Sequence, residues 1–143
     1  MKYIEGIDLS KIENLEISFE SISELRDRCK YAIATSGTVT FEVSLTGLPV
    51  IVVYKTSSIN AFIARKILKI KYISLTNLNA KEKVFSELLQ EDFTVEKLLE
   101  ECKKMEKNKE KTVVRLEKER EKLGNSGVLS KVAEYLIKII NKN

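Results

Sequence analysis

Residues 31–54 constrain the fold more than any other part of the chain. Tyr31-Ala32-Ile33-Ala34 is a short apolar run that ends in small residues, Thr35-Ser36-Gly37-Thr38, and a helix-like segment then carries the chain to Gly47. A second run, Val50-Ile51-Val52-Val53-Tyr54, is dominated by β-branched residues. Strand, tight turn, helix, strand is the parallel unit of an α/β fold, because parallel neighbours need a crossover and a helix usually supplies it. The order predicts a three-layer, Rossmann-like fold with a mainly parallel sheet.

Ligands of open parallel sheets bind beyond the carboxyl ends of the strands. The spacing puts Ser36, Gly37 and Thr38 at a helix start, where unbonded N–H groups suit an anion. Glu42 follows one turn later, placed to accept hydrogen bonds from a sugar hydroxyl. The plainer account of Glu42 is a carboxylate favoured by the helix dipole, and the turn alone is equally that of a well-capped strand–helix junction.

Along the rest of the chain, Tyr3-Ile4 is a candidate short strand and Leu15 to Phe19 alternates as a further strand. Ser21 and Glu24 have the spacing of a capping box that starts a helix over Ile22 to Lys30. Ser58 to Leu68 predicts a helix with a broad apolar face. Its Arg65 reads as a cation snorkelling over the domain edge. Tyr72-Ile73-Ser74-Leu75 predicts a fourth strand, with Asn77 in the loop beyond it. An amide there can both donate and accept, although Asn is also an ordinary turn residue. Ser86 to Gln90 predicts the opening of a short helix on which Glu87 and Gln90, three apart, share a face. Thr94 is a candidate N-cap for a helix to Met105 with a Val95, Leu98, Leu99, Cys102 stripe. Dense mixed charge from Glu96 to Lys122 marks a solvated helix face. Gly124 to Gly127 is a break, and Val128 to Ile140 is a final apolar-periodic helix that needs a surface to pack on. These readings give a single domain over 1–143, with a core over 15–92 and a helical tail over 94–141.

Composition closes off several function classes. With 43% apolar residues among 143, the chain is neither disordered nor two-lobed. Histidine is absent, which removes imidazole acid–base chemistry and most zinc sites. Cys29 and Cys102 show no metal spacing and read as reduced thiols. No apolar run reaches the length of a membrane span and no signal peptide is evident, so a cytoplasmic location is expected. The net charge of +4 is modest, either a help in contacting an anionic membrane surface or a phosphorylated substrate or a mere Lys-rich compositional bias. No nucleic acid, cofactor or metal is expected.

Four motifs occur in order: Ser36-Gly37-Thr38-x-Thr40-x-Glu42, Gly47-x-Pro49 with Tyr54-Lys55, Tyr72-Ile73-Ser74-Leu75-x-Asn77-Leu78, and Glu87-Leu88-Leu89-Gln90-Glu91. Over Asp27 to Gln90 this pattern resembles the C-terminal part of lipid-A-disaccharide synthase, a UDP-sugar-dependent glycosyltransferase of the two-Rossmann-domain (GT-B) type. The resemblance implies a donor-binding half, with UDP-2,3-diacylglucosamine as donor and an acylated glucosamine phosphate, lipid X, as acceptor. It implies nucleotide-sugar contacts at Ser36, Gly37, Thr38, Glu42, Asn77, Glu87 and Gln90, a candidate phosphate or acceptor contact at Arg65, and no catalytic base in this chain. Nothing matches the family's Gly-Ser-Arg phosphate segment, so a missing N-terminal domain or companion subunit is implied, with homodimerisation left open. Peripheral contact with the inner membrane of a Gram-negative bacterium follows from the same resemblance. Three positions depart from it, with Thr76 and Ser86 where the family usually has Pro and Lys81 where it has Gly. The alternatives are another UDP-sugar enzyme, such as a UDP-N-acetylglucosamine transferase or epimerase, and a non-catalytic nucleotide-sugar- or partner-binding subunit.

Overall fold

The computed structural model describes residues 8–56, 71–124 and 127–141. The expected strand at Tyr3-Ile4, the helix over Ser58 to Leu68 and its Arg65 lie outside them. In chain order the elements are α1 (Ile22–Arg28), β1 (Ala32–Thr35), α2 (Thr38–Leu45), β2 (Val50–Tyr54), α3 (Leu75–Ala80), β3 (Ser86–Leu89), α4 (Val95–Lys122) and α5 (Val128–Ile140).

The three strands form a parallel sheet in the order β1-β2-β3. Ala34 pairs with Val52 and Val52 with Glu87, so β2 is central. Its Val50, Ile51, Val52 and Val53 are all buried, as expected of a strand covered on both faces. Val50 and Val52 pack with Val43 of α2, Leu48, Phe85 and Ala80 of α3. Ile51 and Val53 point the other way and pack with Leu88 and with Leu98, Cys102 and Met105 of α4. The molecule is therefore a three-layer α/β fold, with α2 and α3 on one face, the first part of α4 on the other, and the later turns of α4 reaching the α2 and α3 side at Leu116.

Three expectations are corrected. Residues 15–19 form no strand: Leu15, Ile17 and Phe19 are exposed, Phe19 by 86%. The segment is held instead by Arg28, whose guanidinium donates to Glu16 and Glu20 at 2.6–2.7 Å. Residues 72–75 are not a strand either. Ser74 is the N-cap of α3, its hydroxyl accepting from Asn77 N at 3.3 Å. Finally, Ser86 to Leu89 is a strand rather than the opening of a helix, because pairing with β2 overrides the helical propensity of Glu and Leu.

Other local signals are realised. Ser21 and Glu24 form the capping box of α1. Thr94 caps α4, accepting from Lys97 N at 3.3 Å, and the helix runs unbroken for 28 residues. Met105 packs in the second core cluster and Leu116 in the first, so α4 serves both. No residue of α5 is buried. Both cysteines are free thiols, and the hydrogen bond that the Tyr31 phenol gives to Cys102, reinforced by burial, pushes that phenol up to about 12.

Candidate functional site

The carboxyl ends of the strands, Thr35, Tyr54 and Leu89, lie along one edge of the sheet. Ser36 N donates to Val53 O at 3.1 Å, extending the ladder one residue past β1. Gly37 then serves as the N-cap of α2, and no side chain caps this helix. Thr40 Oγ1 donates to Gly37 O at 2.7 Å, leaving the first-turn amides without a side-chain acceptor from that hydroxyl. A Cβ built on Gly37 would meet nothing within 4 Å, so the turn is open above its backbone. An uncapped helix start at a carboxyl edge suits an anion.

Behind this turn stands a continuous polar frame. Ser36 Oγ donates to Ile73 O at 3.1 Å. Ile73 N in turn donates to Glu87 Oε2 at 3.0 Å. Glu87 Oε1 accepts from Ser74 N at 3.0 Å, Ser74 Oγ at 2.8 Å and Asn77 Nδ2 at 2.8 Å. Asn77 completes the frame: its Oδ1 accepts from Val84 N and Phe85 N at 2.8 Å, and its Nδ2 also donates to Phe85 O at 2.9 Å. The Glu87 carboxylate is thus held by four neutral donors, and the Asn77 amide uses both its hydrogens and its oxygen inside the fold.

Ser36, Asn77 and Glu87 are brought into one connected network, with Gly37 and Thr38 directly in front of it. Asn77 is not on a loop: it is fully buried, at 0% exposure, in the middle of α3. Gln90 follows β3 in the left-handed region, with φ 53°. Its side-chain amide exchanges two hydrogen bonds with the backbone of Thr56, at 2.6 and 3.0 Å, tying the exits of β2 and β3 together. Because residue 87 is in a strand, Glu87 and Gln90 do not share a helix face. Glu42 stands apart from the network. It is exposed and lines a groove of about 380 Å³ with Ser23, Arg26, Thr46 and Arg120.

Ile73, Ser74 and Thr56 were not legible as site residues. Ser74 had a usable signal in its N-cap spacing to Asn77, whereas Ile73 and Thr56 take part through their backbones, which no side-chain pattern marks. At Lys81, where the resemblance leads one to expect Gly, the backbone takes φ 57°, ψ 18° as the C-cap of α3.

A family model described as Lipid-A-disaccharide synthetase matches residues 3–140. The chain is 29% identical over 144 residues to the lipid-A-disaccharide synthase of Trichlorobacter lovleyi, covering 99% of this chain and 37% of that protein. It is 36% identical over 130 residues to the protein of the same name from Sulfurihydrogenibium sp., covering 87% and 33%. With that of Bradyrhizobium diazoefficiens it shares 46% identity over 67 residues, 47% of this chain and 17% of the relative. At its fullest matches the chain spans about a third of the relatives' length.

Proposed function

The chain belongs to the lipid-A-disaccharide synthetase family, and from that premise we propose that it is the UDP-sugar-binding portion of a glycosyltransferase that makes the lipid A disaccharide. The reaction is an inverting displacement. The acceptor hydroxyl of lipid X attacks the anomeric carbon of UDP-2,3-diacylglucosamine, the bond to the diphosphate breaks, and UDP leaves. A departing diphosphate needs fixed donors where its charge develops.

The observation that carries the proposal is the uncapped start of α2 at Gly37-Thr38, held by the Ser36–Ile73–Glu87–Asn77 frame. Gly37 and Thr38 meet the diphosphate, and Ser36, Asn77, Glu87 and Gln90 act as positioning residues rather than contacts. Glu42 lies four residues along α2 from Thr38, about 6 Å of helix rise, which suits a ribose that follows the diphosphate toward the groove beside Arg26. The base for the acceptor hydroxyl, and the closure that excludes water, are assigned to the parts of the enzyme outside this third, as a further domain or a companion subunit. No described helix is long and apolar enough to cross a membrane, and we place the enzyme on the cytoplasmic face of the inner membrane as a peripheral protein.

The test is a UDP titration of the 143-residue chain by NMR, wild type beside Glu42→Ala. Weak binding that disappears with Glu42→Ala is expected, with no disaccharide formed from the two lipid substrates until the remaining parts are co-expressed. Tight binding that survives the substitution, or turnover by this chain alone, would overturn the assignment.

A further inference from the structure

The last turns of α4 bury a carboxylate that the proposed reaction does not use. Glu119 is 8% exposed. Its Oε1 pairs with the Lys122 ammonium, while Oε2, shielded from solvent, has no hydrogen-bond partner among the described residues. Buried polar atoms are nearly always satisfied. Glu119 lines a cavity where three helices meet, with Phe41 and Ser44 of α2, Thr76 and Asn79 of α3, and Leu116 and Arg120 of α4. The space open to the centre of a water-sized molecule is about 10 Å³, and one water needs about 10–15 Å³ on that measure.

We propose that this cavity is a binding site for a single ordered water that links α4 to α2 and α3. The two hydroxyls beside the cavity limit how the water is held, and Arg120 adds donors at its rim. Ser44 Oγ donates to Phe41 O at 2.6 Å, and Thr76 Oγ1 donates to Ser44 Oγ at 3.1 Å. Both hydroxyl hydrogens are therefore committed, and Thr76 Oγ1 keeps a lone pair free to accept. The water gives one hydrogen to Glu119 Oε2 and the other to Thr76 Oγ1, and its own oxygen accepts from the Asn79 amide. A metal cation is the competing occupant of an oxygen-lined hole. Lys122 already balances the Glu119 charge, so a cation would bring an uncompensated charge into a buried place. Water carries none.

Oxygen-17 relaxation dispersion on the 143-residue chain counts long-lived internal waters. We expect about one fewer in Glu119→Met, which keeps the side-chain length and removes both acceptors. An unchanged count in the folded variant would overturn the site. A crystal structure of the wild type grown in rubidium salt decides the matter without a variant. A water within hydrogen-bonding distance of both Glu119 Oε2 and Thr76 Oγ1 is the expected result. Rubidium scattering in the cavity, or Oε2 bonded directly to a protein donor, would refute it.

Discussion

Asn77 Nδ2 donates to Glu87 Oε1 at 2.8 Å, joining the middle of α3 to the second residue of β3. Through this bond the fully buried Asn77 amide and the carboxylate that holds Ile73 and Ser74 become one unit, and Ser36 hangs from its far side.

Glu87→Gln is isosteric, yet it should not be conservative. Both carboxylate oxygens accept, so a Gln amide must turn its NH2 against a donor at one of the two positions. Losing at least one hydrogen bond and facing two donors together should cost about 2–4 kcal/mol. Urea unfolding measures it. A loss below about 0.5 kcal/mol would mean the frame does not hold the turn.

Lys81→Gly should raise stability. Lys81 holds φ 57° as the C-cap of α3, a conformation that glycine takes without a Cβ clash. Net of the extra freedom glycine gains when unfolded, the gain is about 0.5–1 kcal/mol. An unchanged or lower denaturant midpoint would show that the Lys81 side chain contributes something the backbone account omits.

Acid should loosen α4 from β3. Burial raises the Glu101 carboxyl, but the hydrogen bonds from Lys104 and Ser86 outweigh it and hold its pKa below the ordinary 4.5. A depressed folded value means this contribution is intact above 4.5 and is lost as pH falls through the folded pKa. The wild type should therefore lose more stability on acidification below pH 4.5 than Glu101→Gln does. Parallel acid-unfolding curves would exclude Glu101 as a source of that sensitivity.

Ending the chain after Gly124 should leave the rest of the fold unchanged. No residue of α5 is buried, and Leu129 and Ile140 are among its most exposed apolar side chains. A change in unfolding free energy under about 0.5 kcal/mol is expected, as for surface alterations generally, together with better solubility as the apolar surface is removed. A drop of several kcal/mol would reveal packing that this chain's core depends on.

The unit from β1 through α2 to β2 was legible because its signals agree. Small residues after Ala34 break the strand, and the β-branched run from Val50 suits a doubly covered strand. The region after residue 70 misled because local preference and tertiary pairing conflict there. Tyr72-Ile73 looks extended, yet Ser74 stops a strand by capping a helix. Ser86 to Leu89 favours a helix in isolation but completes the parallel ladder with Ile51 to Tyr54. The alternation from Leu15 to Phe19 is real and has no ladder to join among the described residues. For the site, Ser36, Asn77 and Glu87 were legible as a group, while their division into open turn and buried frame depends on which face of α3 meets β3. No spacing in the sequence encodes that.

Helix α4 meets one core cluster through Leu98, Cys102 and Met105 and the other through Leu116, which lies eleven residues or about 16 Å of helix beyond Met105. Two such fastenings set a direction as well as a position, as two bolts hold a beam where one would leave it free to swing. Without Leu116, a swing of about 5° about Met105 would carry Leu123, about 27 Å further on, through about 2.4 Å. Leu116 denies the beam that swing, so whatever α5 is joined to is aimed from a mount that begins under β2.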